Sequence, residues 1–381
     1  MRVLITGITG MIGSHLAELY LRKGWEVAGI SRATSSSRLS KGLHLWKHYS
    51  GDILDVNFLE RVWSDYKPKV IFHLAAQAYN GLSWEAEDST YALNITGARN
   101  VFKVSREKTP DALIIPACSS AEYGIVSRDC SPIDEDNTPL HPITPYGVSK
   151  ACMEMMAHQF CLNYKMRFIF PRLFIHVGPN HPPATALQAF AMQLAAIKLG
   201  KMEPVIKVGN LETSRDFVDV RDGVNALDIL VNKGEVGHIY NICSGKSWSI
   251  KESLALLIEL SGTQVEVVQD AALFRPSDEQ LLLGNPKKIR GLGWTQAIPF
   301  HQTLQDIFEN WLLRLRSGYD LGQLCCSNND VKPVRRSEVC SIYNKSTGLE
   351  SKNQFQTVCA NNDQLLPTGE TMGYENTLKS I

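Results

Sequence analysis

The amino-terminal stretch "RVLITGITGMIGSH" (Arg2–His15) constrains the fold more than any other part of the chain. A short β-rich run leads directly into Gly7, Gly10 and Gly13, and a segment with helical spacing follows from Ile12 to Arg22. Glycines so placed close a tight turn, admit a pyrophosphate to the backbone, and let a helix lie close on a strand. The start of that helix offers N–H groups and a positive dipole end to phosphate. The backbone at Gly7, Gly10, Met11, Ile12 and Gly13 is therefore the candidate cradle of a dinucleotide.

The rest of the first 175 residues repeats the theme. "EVAGIS", "KVIFHLAA", "ALIIPAC" and "RFIFPRLF" are short apolar runs, and Ala92–Ser105 between them has helical spacing. Such alternation predicts βαβ units around a parallel sheet buried on both faces, an α/β fold. After about Val177 the pattern loosens into a smaller α/β lobe over residues 176–316. Its expected strands are "EPVIKVG", "RDFVDV" and "HIYNIC", with helices around 224–231, 250–260 and 303–315. Chain from the later half is expected to cross back to the first domain, residues 1–175. The stretch 317–381 is polar, shows neither period, and is expected to be a disordered tail.

Charge removes several classes of partner. With 39 basic and 39 acidic residues, no global field favours nucleic acid or an anionic membrane. No apolar run is long enough to span a bilayer, so no membrane span is expected, and "MRVLITG" lacks the apolar stretch of a secretory signal, so none is expected. Nine scattered cysteines without CxxC pairs predict reduced thiols, a cytoplasmic setting and no metal site.

The second strand ends at "GISRATSSSR", where an acidic residue that would read a ribose 2′-hydroxyl is missing. Arg32, with Arg38 nearby, suits a 2′-phosphate, so NADP is favoured over NAD; a solvated loop arginine is the plainer alternative. Asp52 and Ile53 in "SGDILD" suit the adenine, although a strand-ending turn explains Asp52 nearly as well.

Catalytic chemistry gathers in "CSSAEYG" (Cys118–Gly124) and "PYGVSK" (Pro145–Lys150). Tyr146 and Lys150 share one helix face at i,i+4 spacing, with Pro145 at an early helical position. A free phenol titrates near ~10. A held ammonium and a bound nicotinamide cation can lower that by roughly 1–3 pH units. Ser119 and Ser120 arrive at a strand's carboxyl end, where open α/β sheets place ligands.

Taken in order, TGITGMIG, HLAAQ (His73–Gln77), SSAEYG, YGVSK and the RDF of Arg215–Phe217 resemble extended short-chain dehydrogenases/reductases acting on nucleotide sugars. The resemblance runs from about Met1 to Leu315. It implies a Rossmann-type doubly wound sheet, a carboxy-terminal substrate lobe, and a Ser119–Tyr146–Lys150 triad. It further implies that Ala75 and Ala76 line the cofactor channel, that Asn94 supports the active-site helix, and that the chain pairs as a homodimer.

Family members that dehydrate a nucleotide hexose carry a glutamate where this chain has Ala121, and that elimination needs a base. Glu122, in an extended segment, would point to the other side. "EPVIKVGNLETSRDFVDVRD" resembles the GDP-mannose 4,6-dehydratase group and its sister reductases. By that resemblance Gly209, Asn210 and Leu211 neighbour the nucleotide, while Arg215 and Arg275 reach the diphosphate. Ser120 and Ala121 lie beside the sugar. Ile175 replaces the usual asparagine, leaving Asn180 as a substitute contact. The implied reaction is NADPH-dependent reduction of the C4 ketone of a GDP-4-keto-6-deoxyhexose to GDP-D-rhamnose. Alternatives are a 4-epimerase, a 4,6-dehydratase-like enzyme and a catalytically silent nucleotide-sugar-binding protein.

Overall fold

The structure, a computed structural model, describes residues 1–32, 44–126, 131–270, 273–274 and 281–319. Arg38, Arg275 and residues 320–381 of the tail lie outside the described residues.

The chain opens with β1 (Arg2–Thr6), α1 (Met11–Arg22), β2 (Glu26–Ser31), β3 (Lys47–Ser50), α2 (Val56–Tyr66) and β4 (Val70–His73). Two short helices, α3 (Leu82–Glu85) and α4 (Glu87–Tyr91), precede a π-helical turn at Ala92–Gly97 that runs into α5 (Ala98–Lys108). There follow β5 (Leu113–Pro116), β6 (Cys118–Ser119), a 3₁₀ turn (Ser120–Glu122), α6 (Pro145–Tyr164), β7 (Arg167–Phe168), β8 (Phe170–Leu173) and β9 (Ile175–Val177). The later part adds α7 (Ala186–Lys198), β10 (Val205–Val208), β11 (Ser214–Asp219), α8 (Val220–Lys233), β12 (Ile239–Ile242) and β13 (Ser247–Ser249). It closes with α9 (Ile250–Ser261), β14 (Glu266–Gln269), β15 (Leu281–Leu282), α10 (Lys287–Gly291) and α11 (Phe300–Arg316).

The main sheet has the order β3-β2-β1-β4-β5-β7, all parallel, as the alternating apolar runs predict. The order reverses between β1 and β4, which opens a crevice at their carboxyl ends. Beyond β5 and β7 the same register continues, with Cys118 opposite Arg172 and Ser119 opposite Leu173, and β12 joins on the far side of β8. A segment from the later part of the sequence thus completes the layer that carries Ser119.

Both faces of the sheet are covered. Val3, Ile5 and Phe72 pack under α1 and α8, while Leu4, Ile71 and Ile114 face Trp63, Phe102 and Phe168 on the other side. At roughly 1.5–3 kcal/mol for each large side chain, this burial is the main drive for the layered architecture. A separate cluster joins α7, α9 and α11 around Leu194, Leu257 and the fully buried Trp311, and Tyr319 packs edge-on against that indole. Among the described residues no helix is long and apolar enough to cross a membrane.

Candidate active site

The glycine turn follows the β1–β4 crevice. Gly7 has φ +73°, a left-handed conformation, and a Cβ there would lie 2.8 Å from the Ala75 nitrogen. A Cβ on Gly13 would lie 2.5 Å from the Gly7 carbonyl oxygen, so this helix can sit on this turn only without one. Gly10 caps α1 with no side-chain acceptor for the first-turn amides of Met11, Ile12 and Gly13. A Cβ-free cradle ending in uncapped helical amides fits a dinucleotide pyrophosphate. Ala75 and Ala76 follow β4 half-buried, with the Ala75 backbone against Gly7.

Arg32 is exposed at the end of β2, beside the buried Ser31. Asp52 takes the Leu54 amide at 2.9 Å, so it shapes the turn after β3. Ile53 is 4% exposed and fills the space that a side chain on Gly97 would need. Its side chain therefore serves the core.

Beneath the crevice, Thr6 Oγ1 meets His73 Nδ1 at 2.9 Å and accepts the Ala75 N–H at 3.1 Å. Burial, with Lys150 adding to it, pushes the His73 imidazole down to about 3, so it is neutral. Asn94 accepts the Gln77 N–H, and its amide donates to the Gln77 carbonyl and to Ser149 Oγ. It ties the loop after β4 to α6.

The helix α6 begins with Thr144 accepting the Gly147 N–H at 3.0 Å and with Pro145 at its first position. A Cβ on Gly147 would lie 2.5 Å from the Ala121 carbonyl, so this glycine seats α6 against the Ser119 turn. Tyr146 is half-buried, and the Ser119 hydroxyl favours its phenolate. Lys150, 3% exposed, donates to the Ala117 carbonyl at 2.8 Å, and its Nζ lies 5.8 Å from the Tyr146 ring centre. The three residues expected to form the triad stand together.

The protein's own groups push Tyr146 up to about 12. Burial outweighs the favourable effect of the Ser119 hydroxyl. Burial also lowers Lys150. The ammonium alone does not supply the acidification expected of it, because desolvation acts on both partners.

Residues 120–122 form a 3₁₀ turn, not the extended segment assumed for Glu122. Its carboxyl group folds back, fully buried, and accepts the Ser119 N–H at 2.6 Å, while the Ala121 N–H reaches Ser119 Oγ at 3.2 Å. Ser120 is buried and Ala121 half-buried on this turn. That Glu122 folds back beneath Ser119 follows from turn geometry and not from strand alternation.

Under the turn, Arg172 on β8 grips Glu154 of α6 through Nε at 3.0 Å and Nη2 at 2.6 Å. Its Nη1 donates to Tyr123 Oη at 2.9 Å, which donates to Asn241 on β12 at 2.8 Å. Sequence reading missed this network. Its one legible signal is Glu154, a further i,i+4 step along the Tyr146–Lys150 face.

The expected substrate contacts are more dispersed. Gly209 has no room for a side chain, since a Cβ would lie 2.6 Å from the Leu273 carbonyl. Asn210 Oδ1 takes the Glu212 N–H at 3.0 Å, and the Leu211 carbonyl takes the Lys251 N–H at 3.1 Å. Arg215 donates to its neighbour Ser214's carbonyl at 3.0 Å. Beside it Asp216 is wholly buried and pins Ser244, Gly245 and Gly284. Asn180, at φ +67°, is engaged through both backbone and side chain by Asn310 of α11, and Ile175 packs into the cores around it.

A doubly wound parallel sheet, a glycine turn at its switch point and a Ser–Tyr–Lys grouping at a strand end are the features of an extended short-chain dehydrogenase/reductase. More narrowly, the chain belongs to the GDP-mannose 4,6 dehydratase family, whose model matches residues 4–307. It is 29% identical over 316 residues to the GDP-6-deoxy-D-mannose reductase of Pseudomonas aeruginosa, covering 83% of this chain and 98% of that protein. It is also 29% identical over 341 residues to a Vibrio cholerae GDP-mannose 4,6-dehydratase, covering 78% and 90% respectively. The solved structure of RMD from Pseudomonas aeruginosa complexed with NADPH matches with a TM-score of 0.71 at 28% identity, covering 82% and 99%.

Proposed function

We propose that the protein reduces the C4 ketone of a GDP-4-keto-6-deoxyhexose with NADPH, the product from GDP-4-dehydro-6-deoxy-D-mannose being GDP-D-rhamnose. The observation that carries this reading is the Ser119 hydroxyl acting on the Tyr146 phenol beside a turn with an alanine at position 121. Reduction needs a proton donor beside the ketone and no second base, whereas dehydration needs a carboxylate where Ala121 stands. The similarity to a GDP-6-deoxy-D-mannose reductase and to a structure holding NADPH supports the same choice.

In this reading the glycine cradle holds the pyrophosphate, and Arg32 lies by the 2′-phosphate. Bound NADPH supplies the hydride. Ser119 orients the ketone oxygen, and Tyr146 gives its phenolic proton to that oxygen. Lys150, anchored by the Ala117 carbonyl, holds its charge under the ring and reaches the nicotinamide ribose. Gly209, Asn210, Leu211, Arg215 and Arg275 belong to the nucleotide end of the site. A homodimer through α6 is part of the proposal, supported by Met155 and Leu162, 67% and 68% exposed on that helix.

The test is to supply purified protein with NADPH and the GDP-4-keto sugar and follow cofactor oxidation and product. Stoichiometric NADPH loss with GDP-D-rhamnose formed is expected. Interconversion of sugars without net oxidation would mean an epimerase, and binding without turnover a silent relative.

A further inference from the structure

Glu122 raises a question that the triad does not answer. A carboxyl group with no exposure to solvent lies directly beneath the Ser119 turn. Its Oε1 accepts the Ser119 N–H, and its Oε2 is buried without a hydrogen-bond partner. Cys118 Sγ and a carboxylate oxygen each of Glu122 and Glu154 lie within 4.8 Å of one another. The facing groups are Glu154, Tyr146 and Lys150 from α6, Cys118 from β6, Tyr123 from the adjoining loop and Arg172 from β8.

Charge decides the state of this cluster. The Arg172 fork is filled by Glu154, and Arg172 Nε stands 3.8 Å from Glu122 Oε2, beyond hydrogen-bond range. The Lys150 ammonium is directed at the Ala117 carbonyl. A second carboxylate here would be a buried anion without its own hydrogen-bonded cation, a costly arrangement. Burial and the Glu154 charge both push Glu122 well up, against Arg172, whereas the Arg172 fork holds Glu154 down against its own burial. Arg172 already supplies the positive charge, so the trio is not a metal site.

We propose that Glu122 is a neutral carboxylic acid that positions Ser119, holding its N–H through Oε1 while a proton on Oε2 is donated to Glu154. The serine turn is thereby fastened to the Glu154–Arg172 pair, and so to α6 and β8 together. Glu122 touches no reacting atom; it is a positioning residue, and its effect on turnover rests on the reductase reading above.

The test compares the full-length wild type with Glu122→Gln and Glu122→Leu. Glutamine can accept from Ser119 and donate to Glu154 without a titratable proton. A free glutamate ionises near ~4.3, so a neutral buried Glu122 costs the wild type stability as pH rises above that value. The unfolding midpoint of Glu122→Gln should therefore gain on the wild type between about pH 5 and about pH 8. A constant difference would mean that Glu122 is ionised in the fold, and would overturn the proposal. Protection of the Ser119 amide against hydrogen exchange should persist in Glu122→Gln and be lost in Glu122→Leu. Equal protection in both would overturn the positioning role, whether or not the keto sugar is the substrate. With that substrate, Glu122→Leu should lose about tenfold in kcat at little-changed KM, and Glu122→Gln should restore it to within about threefold. A wild type that does not turn over the sugar would defeat the reductase reading and leave the first two measurements to decide Glu122.

Discussion

The Asn94 amide nitrogen lies 2.8 Å from Ser149 Oγ, joining the π-helical turn to the helix that carries Tyr146. The same side chain closes both backbone hydrogen bonds of Gln77. Asn94→Ala would strand the Gln77 N–H and carbonyl, each costing about 1–3 kcal/mol when unsatisfied, while Ser149 keeps its bond to the Tyr146 carbonyl. A loss of about 3 kcal/mol is expected, read as a lower urea midpoint at unchanged m, with kcat falling as α6 loosens. A midpoint equal to wild type would show that water replaces the amide.

Tyr146→Phe removes the proposed proton donor and little else, since the ring stays packed. Turnover should fall by about 10²- to 10⁴-fold with cofactor and sugar binding retained. Unchanged turnover would take the phenol out of the chemistry.

Gly13→Ala tests the cradle. The added methyl would sit 2.5 Å from the Gly7 carbonyl oxygen and 2.9 Å from Ile8 Cα, both backbone atoms. Forcing the helix off the turn should cost about 1–3 kcal/mol and abolish the thermal stabilisation that NADPH confers. Full stabilisation by NADPH would contradict the assignment of this turn.

His73 makes stability depend on acid. Its imidazole is neutral in the fold, near about 3, because burial excludes the charge, with Lys150 reinforcing this. An unfolded histidine protonates near ~6.5. Its contribution is therefore complete above ~6.5 and drains away as pH falls toward the folded value, by up to about 1.4 kcal/mol per pH unit. His73→Gln should show a flatter unfolding midpoint between about pH 6.5 and about pH 4 than the wild type. An identical slope would remove His73 from the account.

What could be read along the chain was whatever rests on neighbours in sequence. The Gly7–Gly10–Gly13 spacing, the i,i+4 pairing of Tyr146 with Lys150, and the apolar runs of the parallel strands are local patterns. They were sufficient for the α/β fold and for setting Tyr146 and Lys150 on one face of α6. Glu122 was not legible, because the direction of its side chain depends on a turn closed by its own hydrogen bond to Ser119. Nor was Arg172, whose partner is set by the register of β6 against β8 and by the docking of α6 across them. Strand and helix periods specify which residues face inward. Which of those inward charges meet, and which one keeps its proton, is settled only when distant segments share one low-dielectric space.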